Sequence, residues 1–358
     1  MKKIEFFSLA SPRQAVSQGP GRAFPSKSDL HAGLDSGFRR NDKKISVSFF
    51  CLPLLSFAFC FFPFLAYADE TAAFLNIGVG ARAVGMGNAF TAVSGDVNSL
   101  FWNPAGLADL KQSQLGAMDA PLAAGTNFNS LGYATPTKYG TFGASALYLS
   151  QGALDGRNTS AQPTGGFDAS DFAGSLAYAS KIGKSLSLGA NLKYIHSAIA
   201  SDAGEDFALD AGALYELGKL GPGTPSLGLM VQNLGPKMSL GGGQASYLPT
   251  TLAAGISYLW GGFLADIDYK SMPYAPASEV DAGLEFRPIN LIALRAGYDR
   301  STFSEPLLLN GSGGIDVAAL NGFSFGTGLR LDGFDFDYSF TPQGELGDAQ
   351  RFSLTARF

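Results

Sequence analysis

Cysteine, histidine and charged residues are scarce in this sequence. Its 358 residues include two cysteines and two histidines, and only 15% are Asp, Glu, Lys or Arg. Cys51, Cys60 and His31 all lie in the first 68 residues, so the rest of the chain has no thiol and one histidine, His196. Disulfides, thiolate metal sites and cysteine nucleophiles are therefore excluded there. The 46 glycines and 12% aromatic residues also argue against disorder and long charged helices.

The longest apolar run has the features of a secretory signal. It extends from Ile45 to Leu65, after four basic residues at positions 39, 40, 43 and 44, and before Ala66-Tyr67-Ala68, a small-x-small cleavage pattern. A retained membrane anchor is the alternative, because about 20 apolar residues can span a bilayer. Pro53 and Pro63, with the adjacent cleavage pattern, favour a cleaved signal peptide over residues 43–68. Residues 1–42 have no periodicity and are predicted to be disordered or a non-native extension from a start codon assigned too early.

Removal of the predicted leader makes the rest of the chain acidic. Residues 1–68 contain 9 of the 25 basic and 4 of the 30 acidic residues, which leaves 16 basic and 26 acidic residues, a net charge near −10. Nucleic acid is therefore not expected as a partner. No later apolar run is long enough for a transmembrane helix.

Beyond residue 110, apolar and polar residues alternate with the two-residue period of a β-strand. In GFDFDYSF, the aromatic residues between Phe334 and Phe340 share one face, and Asp335 and Asp337 lie on the other. A soluble sandwich would also alternate, but its outer surface would be rich in Lys and Glu. Here aromatics stand near strand ends on the apolar face, which is typical of an outer-membrane barrel with a polar lumen.

The pattern predicts an all-β fold in residues 111–358, a 14-stranded antiparallel transmembrane β-barrel with an N-terminal plug in residues 69–110. Short and long connections nearly alternate, which predicts both termini on the periplasmic side. The chain ends on an amphipathic strand with a terminal aromatic, Phe358, which is typical of the signal read by the barrel-assembly machinery. The predicted strands are 112–120, 127–136, 140–151, 171–182, 186–199, 206–217, 225–234, 250–260, 262–271, 279–288, 290–300, 321–331, 333–341 and 349–358.

Eight charged residues fall on the predicted inward face of four strands. An Arg or Lys facing lipid at mid-depth would cost about 2–4 kcal/mol, so the inward position is strongly favoured. Inside, acids and bases can pair across strands and hold the plug through Arg82; we prefer this structural role to selection of solutes. The eight residues are Asp266, Asp268, Asp281, Glu285, Arg287, Arg295, Asp335 and Asp337.

The segment before the barrel has a different character. Ala81 to Ala92 favours a short helix loosened by Gly85 and Gly87, and Asn103-Pro104-Ala105-Gly106 is a turn signal. The spacing Gly78-x-Gly80-x-x-Ala83 fits a dinucleotide fingerprint, but no βαβ unit follows, so a cofactor is not expected.

These residues resemble a known family. GARAVGMGNAFTAVSGDVNSLFWNPAGLA is similar to the N-terminal plug of FadL-type outer-membrane proteins, most closely the PorV/PorQ branch, over about residues 74–108. The resemblance implies a fourteen-stranded barrel with the plug folded into the lumen. Carried over by position, Asn103, Pro104 and Ala105 would form a turn inside the plug, Gly85 and Gly87 would allow close packing against the wall, and Asp96 would be the family acid. These residues either only fold the plug or also contact a ligand.

The FadL resemblance implies passive transport of hydrophobic compounds, such as long-chain fatty acids, across the outer membrane of a Gram-negative bacterium. Leu307 to Leu320 and Tyr247-Leu248 would offer a landing surface for them, or would be strand ends. The PorV branch implies instead a carrier for cargo proteins of type IX secretion. An enzyme is not expected, because His196 lies on the outward parity near a strand end, and neither are metals. The expected partners are outer-membrane lipid, the assembly machinery, and hydrophobic small molecules or secreted cargo.

Overall fold

The computed structural model describes residues 70–275, 277–301, 322–343 and 347–358. The predicted leader, residues 1–68, and the predicted landing segment from Leu307 to Leu320 lie outside the described residues. Within them, no helix combines the length and apolar character needed to cross a bilayer.

Fourteen antiparallel strands form a closed barrel, as predicted. Each strand pairs with its neighbours in sequence, and β1 closes the ring against β14. Closure pairs the backbone groups of every strand, as a lipid environment requires. The strands are β1 (Gln114–Pro121), β2 (Asn127–Thr137), β3 (Gly140–Arg157), β4 (Pro163–Ile182), β5 (Leu186–Ile199), β6 (Asp202–Glu216), β7 (Thr224–Leu234), β8 (Thr251–Trp260), β9 (Phe263–Met272), β10 (Ala277–Ile289), β11 (Ile292–Ser301), β12 (Phe323–Leu331), β13 (Phe334–Pro342) and β14 (Asp348–Arg357).

The outer face of the barrel is apolar. Leu176 is 69% exposed and Leu284 is 59% exposed, whereas the polar residues next to them in sequence face inward. Aromatic side chains form a band near each end of the strands, as in membrane barrels. Tyr139, Tyr178, Trp260 and Phe334 belong to the end where β14 finishes, which we call the terminal end; Phe172, Phe207, Tyr269 and Phe352 belong to the opposite, loop end.

Three strands extend further towards the loop end than predicted. β3 ends at Arg157 and β4 starts at Pro163, so most of the predicted loop between residues 151 and 171 is a hairpin that projects beyond β2 and β5. β6 starts at Asp202, which leaves a connection of two residues after β5. The alternation of apolar residues weakens where a strand leaves the bilayer, and the predicted boundaries followed that alternation.

The plug segment lies inside the barrel and is mostly irregular. Its only α-helix, α1, is the single turn Ala81–Val84, so the predicted helix from Ala81 to Ala92 is wrong beyond Val84. Three 3₁₀ helices complete it, at Ala73–Asn76, Val97–Leu100 and Pro104–Asp109. The hydrophobic clusters of the protein lie between this segment and the wall.

The chain enters the barrel at the loop end. Thr71 N donates to Tyr247 O at 2.9 Å, and Tyr247 lies in the connection between β7 and β8, at the loop end. Phe358 N instead donates to Ser113 O, at 3.0 Å, at the terminal end. The two ends of the described chain therefore lie on opposite sides of the barrel, and the prediction of both termini on one side is wrong. Sequence patterns did not show that the plug passes through the whole lumen before β1 begins.

Candidate functional site: the plug and the lumen it fills

The plug turns where small residues permit contact with the wall. Gly87 has φ +64°, a left-handed conformation that favours glycine. A Cβ atom built on Gly297 of β11 would lie 2.0 Å from Gly87 N, and one built on Gly85 would lie 3.0 Å from the Cα of Gly326 in β12. The backbones of plug and wall therefore touch at these two places. Such contact explains why α1 ends after one turn.

Similar contacts recur around the barrel. A Cβ atom on Gly283 would lie 2.4 Å from Met86 O, and one on Gly228 would lie 2.3 Å from Thr91 O. On Gly189 it would lie 2.4 Å from Ala105 N. Sequence reasoning missed these wall glycines, although glycine at inward positions of successive strands was a signal that could have found them.

Arg82, the first polar residue of α1, joins the plug to the wall. Its Nε and Nη2 donate to the two carboxylate oxygens of Glu285 in β10, both at 2.9 Å, and its Nη1 donates to Asp96 Oδ2 at 2.7 Å. The exposed fractions of the three side chains are 13%, 4% and 11%. This forked geometry is the strongest form of Arg-carboxylate pairing.

The charges of Arg82, Asp96 and Glu285 stabilise one another. Burial lowers the pKa of Arg82, but Glu285 and Asp96 raise it more, so it lies above its ordinary value. Burial raises the pKa of Asp96, but Arg82 and the N–H of Asn98 lower it more, so it lies below its ordinary value. Asp96 also caps the 3₁₀ helix that follows it, through Oδ1 and Asn98 N at 2.8 Å.

Glu285 is the centre of a larger ion network on the wall. Arg295 Nε donates to it at 2.7 Å and Arg287 Nε at 2.9 Å. Arg295 also donates to Asp337 on β13 at 2.7 Å. Asp335, nearer the terminal end, pairs with Arg330 and Arg357. The structure thus brings Glu285, Arg287, Arg295 and Asp337 together, and Asp335 belongs to a separate group.

The remaining acids line β9 and β10 nearer the middle of the lumen. Asp268 Oδ2 accepts from Phe90 N and Thr91 N, both at 2.8 Å, and so holds the plug backbone directly. Asp266 is 1% exposed, one inward position nearer the terminal end. Asp281 pairs with Lys270, whose Nζ also donates to Asn88 O of the plug at 3.1 Å.

A group of carboxylates near Lys270 has the composition of a cation site. Glu279, Asp281 and Asp299 have ligand oxygens within 4.8 Å of one another. However, Asp281 pairs with the Lys270 ammonium and Asp299 accepts from Asn88 Nδ2 at 2.9 Å, so protein groups already neutralise or bind two of the three.

The Asn-Pro-Ala-Gly segment starts a 3₁₀ helix deep in the lumen. Asn103 caps it by accepting from Ala105 N at 3.1 Å, and its Nδ2 donates to Thr91 O at 2.8 Å. Pro104 occupies the first turn, and Gly106 packs against Ser99, with a hypothetical Cβ 2.5 Å from Ser99 Oγ. All four residues of the motif are buried. The hydrogen bonds of Asn103 in the structure are with the protein's own backbone.

Sequence reasoning missed two side chains that hold the plug. Gln232 on β7 donates through Nε2 to Phe101 O at 2.8 Å and to Trp102 O at 2.7 Å. Trp102 donates through its indole N–H to Val79 O at 2.9 Å. A single inward amide carries no pattern, so nothing in the sequence marked Gln232.

The loop half of the lumen is apolar on one side. Inward residues of β1 to β6 form a buried cluster with the N-terminal part of the plug, in which Phe74 is 4% and Val79 is 4% exposed. At the mouth, Tyr247 is half-buried and stacks on Tyr274, with ring centroids 3.9 Å apart, and its short strand pairs outside the barrel sheet. Leu248 is fully buried, so it is not part of a landing surface. The wall residues of the cluster are Met118, Ala120, Phe128, Leu147, Leu149, Ala173, Ile195 and Ala208.

A small cavity remains beside this cluster, between Ile77 of the plug and Lys193, Lys270 and Glu279 of the wall. Its volume is about 100 Å³. Binding sites for small molecules usually measure about 300–1,000 Å³. A ligand larger than a few water molecules needs the N-terminal part of the plug to move.

Two predicted residues lie on the outer face. Phe358 is 67% exposed and stacks near Tyr133, with ring centroids 6.3 Å apart. His196 is half-buried on the outward face of β5.

Comparison with known proteins agrees with this architecture. The family model described as type IX secretion system protein PorV matches residues 68–270, more than half of the chain. A search of curated proteins found no match.

Solved structures share the fold. The CymD monoaromatic hydrocarbon channel has a TM-score of 0.56 at 14% identity, covering 79% of this chain and 98% of its own. The Pseudomonas putida toluene transporter TodX has a TM-score of 0.54 at 13% identity, with 82% and 98% covered. The Ralstonia pickettii toluene transporter TbuX has a TM-score of 0.54 at 11% identity, with 78% and 98% covered.

Proposed function

Because the chain belongs to the family of the type IX secretion system protein PorV and forms a plugged outer-membrane barrel, we propose that it passes small hydrophobic compounds across the outer membrane. One observation carries this proposal: each of six consecutive strands contributes inward apolar residues to one buried cluster in the loop half of the lumen. The lumen of an outer-membrane barrel is ordinarily polar, so an apolar side favours an apolar solute.

The N-terminal part of the plug, residues 70–79, occupies the place that such a solute would take. Phe74 and Val79 fill the apolar side, and Leu75 and Ile77 pack at its edge. Few polar contacts hold it within the described residues: Thr71 N donates to Tyr247 O at 2.9 Å, Arg351 Nε donates to Gly78 O at 3.2 Å, and the indole N–H of Trp102 donates to Val79 O at 2.9 Å. In our proposal this part moves aside for the solute, while the part held by Arg82 stays.

The similar structures include the toluene transporter TodX and the monoaromatic hydrocarbon channel CymD. We extend the same class to this chain, together with acyl chains, because both are apolar and narrow. The site residues predicted from the sequence take structural roles in this scheme. Arg82, Asp96 and the Asn103 motif fold and anchor the plug, and the inward charges pair with it.

The same scheme needs export and removal of the leader. The apolar run ends at Leu65, and five residues later the chain is at the loop end of the barrel. Five residues extend at most about 18 Å, too short a link between an inner-membrane anchor and the outer mouth of another membrane. A cleaved signal peptide is therefore our proposal, with the loop end outside the cell and Phe358 recognised by the assembly machinery in the periplasm.

Uptake by vesicles tests the function. Proteoliposomes with the wild-type protein should take up labelled toluene or a labelled fatty acid faster than empty liposomes. Phe74→Ala should accelerate uptake, because it removes the side chain that fills the apolar side. Phe207→Ala is the matched control, since Phe207 is 57% exposed on the outer face. Equal uptake with and without the wild-type protein would count against transport.

A carrier for cargo of type IX secretion is the second candidate. The family match favours it, and the hairpin of β3 and β4 that projects beyond the barrel offers a surface for a protein partner. Secreted proteins with a shared C-terminal domain should then co-purify with the barrel, and deletion of residues 152–168 should abolish their recovery without changing solute uptake.

A further inference from the structure

A second cavity lies under the plug, at the terminal end of the lumen. Its volume is about 590 Å³, and it lies between Ser94 and Gly95 of the plug and the ends of the wall strands. This volume is within the range of small-molecule sites. We call it the vestibule.

Four guanidinium groups line the vestibule. Arg82 comes from the plug, and Arg287, Arg330 and Arg357 come from β10, β12 and β14. The last three side chains are 24%, 37% and 18% exposed, so they are partly covered by protein and still reach the cavity.

The carboxylates that contact these arginines are already occupied. Glu285 accepts four hydrogen bonds from three arginines, Arg82, Arg287 and Arg295. A carboxylate has about four acceptor positions, so Glu285 is saturated. Asp335 binds both Arg330 and Arg357.

Donors therefore exceed acceptors. Each guanidinium has five N–H donors, yet Arg287 makes its hydrogen bond to Glu285 through Nε alone within the described residues. Among the described residues, Arg357 Nε is buried and has no hydrogen-bond partner. The other charged residues of the lining are Lys111, Glu216 and Asp109, and Asp109 pairs with Lys181 at 2.5 Å.

We propose that the vestibule binds a small oxyanion, a carboxylate or phosphate group, on Arg287, Arg330 and Arg357. Guanidinium groups match the planar or forked oxygens of both groups with two parallel hydrogen bonds. The anion supplies the acceptors that the protein lacks, and the vestibule admits it from the terminal end. This site does not depend on the proposed transport of apolar compounds, which enter from the loop half.

The test uses the full mature chain in detergent, with inorganic phosphate and acetate as separate probes. Binding is measured by calorimetry and by the shift of the thermal unfolding midpoint, at an ionic strength held constant with chloride. Saturable binding of phosphate, acetate or both supports the proposal and identifies the ligand chemistry. A response no larger than that to chloride overturns it.

Arg287→Gln is the informative variant, because Glu285 keeps Arg82 and Arg295 after the change. It removes charge-assisted hydrogen bonds, so the affinity should fall about tenfold. Lys111→Gln removes the same charge from the same cavity and should bind as the wild type does. Equal weakening by the two substitutions would indicate general attraction of anions and would overturn the site. Arg287→Lys, which keeps the charge without the fork, should bind more weakly than the wild type even if the Gln variant does not fold.

Discussion

The link between Arg82 and Glu285 should decide how firmly the plug is seated. Arg82→Gln removes the two contacts of 2.9 Å to Glu285 and the contact of 2.7 Å to Asp96. The barrel itself should still fold, because Glu285 keeps Arg295 and Arg287, and Asp96 keeps Asn98 N. The substitution therefore affects mainly the attachment of the plug.

The magnitude follows from burial. Breaking a buried ion pair costs about 3–5 kcal/mol when a charge is left unpaired. Here both acids keep other partners, so the lower value of about 3 kcal/mol is the better estimate. Since 1.4 kcal/mol corresponds to a factor of ten, the equilibrium between seated and released plug should shift by about a hundredfold.

Single-channel recording in planar bilayers measures this shift as the fraction of time in conducting states. Arg157→Gln is the matched control, because Arg157 is an exposed residue of the β3–β4 hairpin whose side chain donates only to Ala161 O among the described residues. A double variant with Glu285→Gln should open little more than the more open of the two single variants, since residues in one network are not additive. Unchanged conductance in Arg82→Gln, or an additive double variant, would refute the reasoning.

Four further outcomes are expected. Gly297→Val should raise conductance, because its Cβ would lie 2.0 Å from Gly87 N and the plug backbone could not seat there; recordings beside Gly166→Val, whose Cβ would lie no closer than 3.7 Å to Leu154 O, check this. Deletion of residues 69–110 should open the lumen permanently, and a trace like that of the wild type would contradict it. The pKa of Asp96 lies below its ordinary value because Arg82 outweighs burial, so its stabilisation is complete above about pH 4; openings should become frequent only as the pH falls below that value, and an onset near pH 6 would exclude this carboxylate. An epitope inserted before Glu70 should bind antibody on intact cells, because Thr71 is held at the loop end. Labelling only after permeabilisation would show that the barrel has the opposite orientation.

The barrel was predictable because alternation has one physical cause. A strand with lipid on one side and a polar lumen on the other must place side chains in a two-residue period. Phe334 and Phe336 are 46% and 49% exposed, and Asp335 and Asp337 are 9% exposed, as that period requires. The β3–β4 hairpin was mistaken for a loop because beyond Ser150 it faces neither lipid nor lumen.

The plug was less predictable because its conformation is set by the wall. Helix propensity and spacing indicated a helix from Ala81 to Ala92, but Gly297 and Asp268 hold the chain in another path after Val84. The sequence allowed the prediction that Arg82 pairs with an acidic residue of the wall. The choice of Glu285 depends on the register of β10 against β11, which no local pattern records.

The most direct test is to measure which side chains of one strand face the lipid of a bilayer. Single cysteines at Leu252, Ala253, Ile256 and Ser257 of β8, each carrying a nitroxide, can be compared by collision with membrane-dissolved oxygen. Leu252 and Ile256 are 39% and 49% exposed, and Ala253 and Ser257 are 7% and 5% exposed. We expect frequent oxygen collisions at the first two and shielding at the other two. Equal values at all four positions, or collisions of a water-soluble nickel complex at Leu252 and Ile256, would contradict this expectation.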